Sequence, residues 1–165
     1  MSIRVVHWGT GKTGSAALRG IIGHPELELV GLFVERSENV GRDAGEFCGM
    51  PATGIISTND IEAVLALEPD CLSYFGSGVI DLDKGVANIA QFLQRGCNAV
   101  TTSLNEFIHP QCAPAAAYET LNAACHEGGS SFFATGIEPG FARTWPRSMS
   151  SRSIPRSRQP TLSPA

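Results

Sequence analysis

The sequence has no CxxC pair, no run of 18 consecutive apolar residues and no internal repeat. Cys48, Cys71, Cys97, Cys112 and Cys125 are odd in number and far apart. That excludes a zinc ribbon and a thioredoxin-type redox pair, and leaves thiols that behave as small apolar side chains in a reducing compartment. The missing long apolar run removes any candidate membrane-spanning helix. The opening MSIRVV is strand-like rather than a signal peptide, so the expected location is cytoplasmic.

Acid is missing from one end. All 16 Asp and Glu lie in residues 1–142, together with only seven Lys or Arg, whereas residues 143–165 hold five arginines and no acid. The apolar share of 42% is slightly lean, and the deficit sits in the same place. The stretch ARTWPRSMSSRSIPRSRQPTLSPA has four prolines and six serines and neither helical nor strand periodicity. Such a composition buries too little apolar surface to offset its ordering entropy, so residues 143–165 are expected to be a disordered tail. A displaced reading frame in a G/C-rich gene produces this composition, and the coding DNA past Phe141 decides that question. Binding of nucleic acid or an acidic partner by the arginines is the weaker reading of the tail.

What remains, residues 1–142, alternates apolar runs with helical patterns. Strands are expected at 3–8, 27–34, 52–57, 71–75, 98–102 and 130–135. Helices are expected from Lys12, at 61–67, at 83–94 and after Pro114, with Asn59 and Glu62 spaced as a capping box before the second. Strands that are solidly apolar belong in a parallel sheet covered on both faces. The expected fold is an α/β, doubly wound parallel Rossmann sheet of about six strands in the order 3-2-1-4-5-6.

The loop Gly9-Thr10-Gly11-Lys12-Thr13-Gly14 follows the first strand directly and opens the first helix. In that context GxGxxG marks a dinucleotide site. Gly9 makes the tight turn, Gly11 lets the backbone approach a pyrophosphate, and Gly14 lets helix and strand pack closely. The helix N-terminus then holds the phosphate charge. Gly11-Lys12-Thr13 also spells the end of a triphosphatase loop, but that motif needs glycine where Val6 stands. Glu35, ending the second strand 21 residues after Gly14, is the carboxylate expected on an adenosine ribose and favours NAD. Arg36, with or without Arg42, suits the 2′-phosphate of NADP, so the cofactor reads as NAD or NADP.

Gly76, Ser77 and Gly78 after the fourth strand, and Thr102 and Ser103 after the fifth, are placed by topology to border the ribose and nicotinamide. His109 is a candidate proton donor in an exposed loop. His7 inside the first strand reads as structural, bonded near the cofactor loop, and His24 and His126 end helices. No residue stands out as catalytic, and no cluster suggests a metal.

The stretches VVHWGTGKTGSAALRGIIGHPELELVGLFV, VGRDAGEFCG and GIEPGFA resemble the dihydrodipicolinate reductase-like oxidoreductases, in particular the actinobacterial branch related to 2,4-diaminopentanoate dehydrogenase. The resemblance spans residues 1–142 and implies an NAD(P)-dependent oxidoreductase acting on a small amino-acid-like or imine-like molecule. It places the pyrophosphate on Gly9 to Gly14 and the adenosine end on Glu35 and Arg36. It also implies a substrate domain after the GIEPGF turn, which this sequence lacks, so the chain reads as a cofactor-binding half that is inactive alone. The His-His and Lys-containing catalytic signature of the reductases themselves is absent. The alternative is a non-catalytic module that senses the dinucleotide or binds a partner chain. A homo-oligomer is left open.

Overall fold

The computed structural model describes residues 2–136. The expected boundary at 142, the rest of the GIEPGF turn and the tail 143–165 lie outside the described residues. The chain runs β1 (Ile3–Trp8), α1 (Lys12–Gly23), β2 (Leu27–Phe33), α2 (Ala44–Cys48), β3 (Ser57–Thr58), α3 (Ile61–Leu65), β4 (Cys71–Tyr74), α4 (Leu82–Gln94), β5 (Asn98–Thr101), α5 (Ala115–Gly128) and β6 (Phe132–Ala134). Short 3-10 turns occupy Ser37–Asn39, Ser77–Val79, Asn105–Ile108 and Pro110–Cys112. The six strands pair in the order β3-β2-β1-β4-β5-β6, every pair parallel, which is the doubly wound order the alternation predicts.

Register lines the side chains up in two rows that face opposite ways. Phe33, Trp8, Tyr74, Thr101 and Ala134 are neighbours across the sheet. The aromatic end of this row is buried in the larger core with Val64, Ile89, Phe92 and Leu121 of α3, α4 and α5. Trp8 stacks on Phe33 with ring centroids 3.6 Å apart. The other row is Leu32, His7, Ser73, Val100 and Phe133. Leu32 joins Leu18 of α1 and Ala44 of α2 in a smaller core. Further along this row burial falls away, from Leu32 at 0% exposed to Phe133 at 63%.

Local rules shorten or move several expected elements. The third strand, expected over 52–57, is only Ser57–Thr58. Gly54 turns the chain with φ +79°, and the Asp43 carboxylate takes the N–H groups of Thr53 and Gly54 that a longer ladder would have used. The same carboxylate accepts from the Gly45 N–H and caps α2, a helix not among those expected from the sequence. The cap of α3 is Asp60 rather than Asn59, since Asp60 accepts from Glu62 and Ala63. Strand ends at 75, 102 and 130–131 also fall back by a residue or two, as boundaries do.

Candidate dinucleotide cleft

At the carboxyl edge of the sheet, the loops after β1, β2 and β4 enclose a cleft of about 380 Å³ lined by Gly9, Thr10, Gly11, Glu35, Arg36, Asn39, Phe75, Gly76 and Ser77. Open α/β sheets bind ligands at this edge, where strand order reverses between β1 and β4. A larger hollow of about 700 Å³ lies at the opposite edge, beside Asp70 and Asn98, where β4 and β5 begin. Its arginine, Arg95, pairs with Glu62 at 3.5 Å.

The glycine loop is built by close approach. Gly9 has φ +98°, and a Cβ there would run into the Phe75 carbonyl. At Gly14 a Cβ would fall on the Gly9 carbonyl oxygen, with the Phe75 Cβ 3.3 Å away, so α1 starts directly against the turn. Gly11 differs. Its φ is ordinary at −67°, and a Cβ there meets nothing within 4 Å. Beside Gly11 the cleft is therefore open to a ligand.

The start of α1 is electrostatically bare. No side chain caps Gly11 and no acid occupies the first turn, so the positive end of the helix is uncompensated. Lys12 stands at the first helical position, where a cation opposes the helix dipole, and adds positive charge at the same spot. Lys12 and Thr13 are exposed beside the cleft rather than among its lining. Ser15 fastens the loop by donating its hydroxyl to the Thr10 carbonyl at 3.1 Å.

Glu35 closes the opposite wall. Its Oε1 accepts from the Ser77 hydroxyl at 3.0 Å and, at the limit of reach, from the Trp8 indole N–H at 3.5 Å. The carboxylate thus ties the loop after β2 to the loop after β4. Arg36 is extended and 77% exposed, 3.6 Å from Glu38. Arg42 is committed elsewhere, with Nε on Glu46 at 3.1 Å and its guanidinium 4.6 Å above the Phe47 ring.

Of the residues singled out in the sequence, the structure brings Gly9, Thr10, Gly11, Glu35, Arg36, Gly76 and Ser77 to one cleft. Gly14 supports the loop from behind. Thr102, half-buried after β5, and exposed His109 do not line the cleft. Asn39 and Phe75 do line it, and neither carried a sequence signal: Asn39 arrives through the Ser37–Asn39 turn and Phe75 through the end of β4. His7 is fully buried in β1 and bonded to the loop, as its position suggests. Among the described residues no helix is long and apolar enough to cross a membrane.

Fold and cleft together define a Rossmann-type domain with a glycine-rich helix start at the switch point of its sheet. Residues 3–106 match the family described as dihydrodipicolinate reductase, N-terminus, and the chain belongs to that family. An amine dehydrogenase of Streptomyces virginiae is 38% identical over 140 residues, covering 84% of this chain and 39% of the relative. The amine dehydrogenase structure from Mycobacterium smegmatis superposes with a TM-score of 0.76 at 22% identity, over 93% of this chain and 45% of that one. An engineered D-amino acid dehydrogenase bound to NADP+ gives 0.64 at 21% identity, over 92% and 41% of the two chains. The chain thus spans about two fifths of its curated relative.

Proposed function

We propose that the domain binds NAD or NADP in the cleft between Gly9–Gly14 and Glu35, and serves as the cofactor half of an amine or amino-acid dehydrogenase. The open space beside Gly11, at the uncapped start of α1, is the observation that carries this reading. A diphosphate fits there for three reasons: backbone N–H groups are free at a helix N-terminus, Lys12 adds charge, and no Cβ intrudes. The residue roles follow from position. Gly9 to Gly14 hold the pyrophosphate, Glu35 accepts from a ribose hydroxyl, and Arg36, exposed beside Glu38, is placed to meet a 2′-phosphate. Gly76, Ser77 and Thr102 border the path toward the nicotinamide.

The cofactor, when bound, supplies hydride transfer, and the protein supplies position and exclusion of water. In this reading Glu35 is already oriented by Ser77, so little side-chain order is lost on binding. The relatives' names support an amine or amino acid as substrate, and their unmatched three fifths is where we place the substrate-holding part. The chain alone is therefore expected to bind cofactor without turnover.

Isothermal titration with NADH, NADPH and ADP-ribose tests the reading. Saturable binding of all three is expected, with ADP-ribose retaining much of the affinity because the phosphates and adenosine make the contacts. Absence of binding by both dinucleotides at millimolar concentration would overturn it.

A further inference from the structure

His7 stands where an apolar residue would be expected, between Leu32 and Ser73 in a sheet row, and it is 0% exposed. Burying an imidazole there costs free energy unless both ring nitrogens are satisfied. Both are. Nε2 lies 2.9 Å from the Gly9 carbonyl oxygen, and Nδ1 lies 3.1 Å from the Ser73 hydroxyl. A carbonyl only accepts, so Nε2 carries the proton, and Nδ1 accepts from the serine O–H. The ring is therefore held in one tautomer by its neighbour on β4, and its one outgoing donor points at the loop.

The bonded carbonyl is the hinge of the glycine turn. Gly9 donates its N–H to Phe33 at 3.0 Å, continuing the ladder of β1 with β2. Its φ of +98° then turns the chain, and His7, two residues back, supplies the donor for its carbonyl. Gly14 closes over the same oxygen, because any Cβ on Gly14 would fall on it. One buried atom thus receives both the histidine donor and the start of α1. Its direction fixes where Gly11 and Lys12 stand.

We propose that His7 is the positioning residue of the phosphate loop: its imidazole, oriented by Ser73, holds the Gly9 carbonyl and so sets the turn that presents Gly11 and Lys12 to a dinucleotide. The effect on affinity rests on the dinucleotide reading above, whereas the effect on loop geometry does not. Burial keeps the ring neutral near pH 7 by pulling the His7 pKa from 6.5 down to about 4, so Nδ1 is left as the acceptor for the Ser73 hydroxyl. Glutamine keeps an amide N–H that can be offered to the Gly9 carbonyl and an amide oxygen that can accept a hydrogen bond. Leucine fills similar space and has neither.

The test compares the full chain with His7→Leu and His7→Gln, by amide NMR of residues 9–14 and by NADH titration. Long-range nitrogen–proton NMR of the wild-type imidazole should show the Nε2–H tautomer. His7→Leu should displace the amide signals of Gly9 to Gly14 and weaken NADH about tenfold, as expected for a loop that has lost one fixing bond. His7→Gln should restore both to near wild type. A packing role predicts the reverse order, with leucine better than glutamine, and that result would overturn the proposal, as would an Nδ1–H tautomer. If His7→Leu does not fold, His7→Gln decides alone: it must fold and bind, and its failure counts against us. If the wild type binds neither dinucleotide, the functional reading fails, while the tautomer and loop signals still judge His7.

Discussion

Replacing Gly11 by alanine separates folding from binding in this domain. Gly11 has φ −67° and ψ 178°, an extended conformation open to alanine, and a Cβ there meets nothing within 4 Å. Two small effects on stability then oppose each other. Alanine reduces the freedom of the unfolded chain, worth about 0.4–1 kcal/mol. As an N-cap it is poorer than glycine by an amount of roughly the same size. The net change in stability should stay within about 0.5 kcal/mol, a shift of Tm of only a few degrees. Binding should respond differently, because the methyl group enters the space through which phosphate oxygens approach the first-turn N–H groups. Loss of one hydrogen bond to a charged group costs about 1.5–3 kcal/mol. That corresponds to about a 10- to 150-fold weaker Kd. Thermal unfolding followed by circular dichroism, with NADH titration on the same sample, reads both quantities. A Gly11→Ala protein that binds within about threefold of wild type, or that loses affinity only as it loses structure, would refute the reasoning.

Gly14→Ala should fail in both respects, because its Cβ collides with a backbone carbonyl that His7 holds in place, and a fall in Tm together with lost NADH binding checks this. Glu35→Gln should weaken NADH by roughly tenfold, since a charged acceptor becomes a neutral one, and should affect NADPH less; parallel titrations decide. Acid should destabilise the fold through His7, which is neutral when folded. Its pKa is about 4 in the folded chain and 6.5 as the reference for the unfolded one. Unfolding therefore takes up a proton between those values, and the stability that is present above pH 6.5 is lost as pH falls toward 4. At about 1.4 kcal/mol per pH unit the loss amounts to about 3 kcal/mol. Denaturant melts across that range, compared with His7→Gln, measure it. Thiol labelling should begin at exposed Cys112 and reach Cys97 last, because Cys97 is buried and its pKa is pushed up to about 12 by desolvation.

Strand order, the glycine loop and the Glu35 wall were legible because each rests on a local pattern: solid apolar runs for a covered parallel sheet, and a GxGxxG between strand and helix. The Asp43 loop was not. A single carboxylate gathers the N–H groups of Gly45, Thr53 and Gly54 across ten residues of sequence, and no periodicity records such a contact. It makes α2 and shortens β3 together. Asn39 and Phe75 reached the cleft the same way, carried by turns whose geometry depends on what they pack against. Arg42 shows the converse. Its charge suits a phosphate, yet Glu46 four residues later and the Phe47 ring hold it away. The second partner of His7 was not legible either, since Ser73 stands 66 residues away.

A dinucleotide in the cleft between the glycine loop and Glu35 must contact both walls. Amide NMR of the isotopically labelled chain titrated with NADH tests it residue by residue. Saturable shifts are expected at Gly9 to Gly14, Glu35, Asn39, Gly76 and Ser77, with Glu68, Asp70 and Arg95 at the opposite edge unmoved. Shifts confined to that opposite edge, or none at saturating NADH and NADPH, would contradict it.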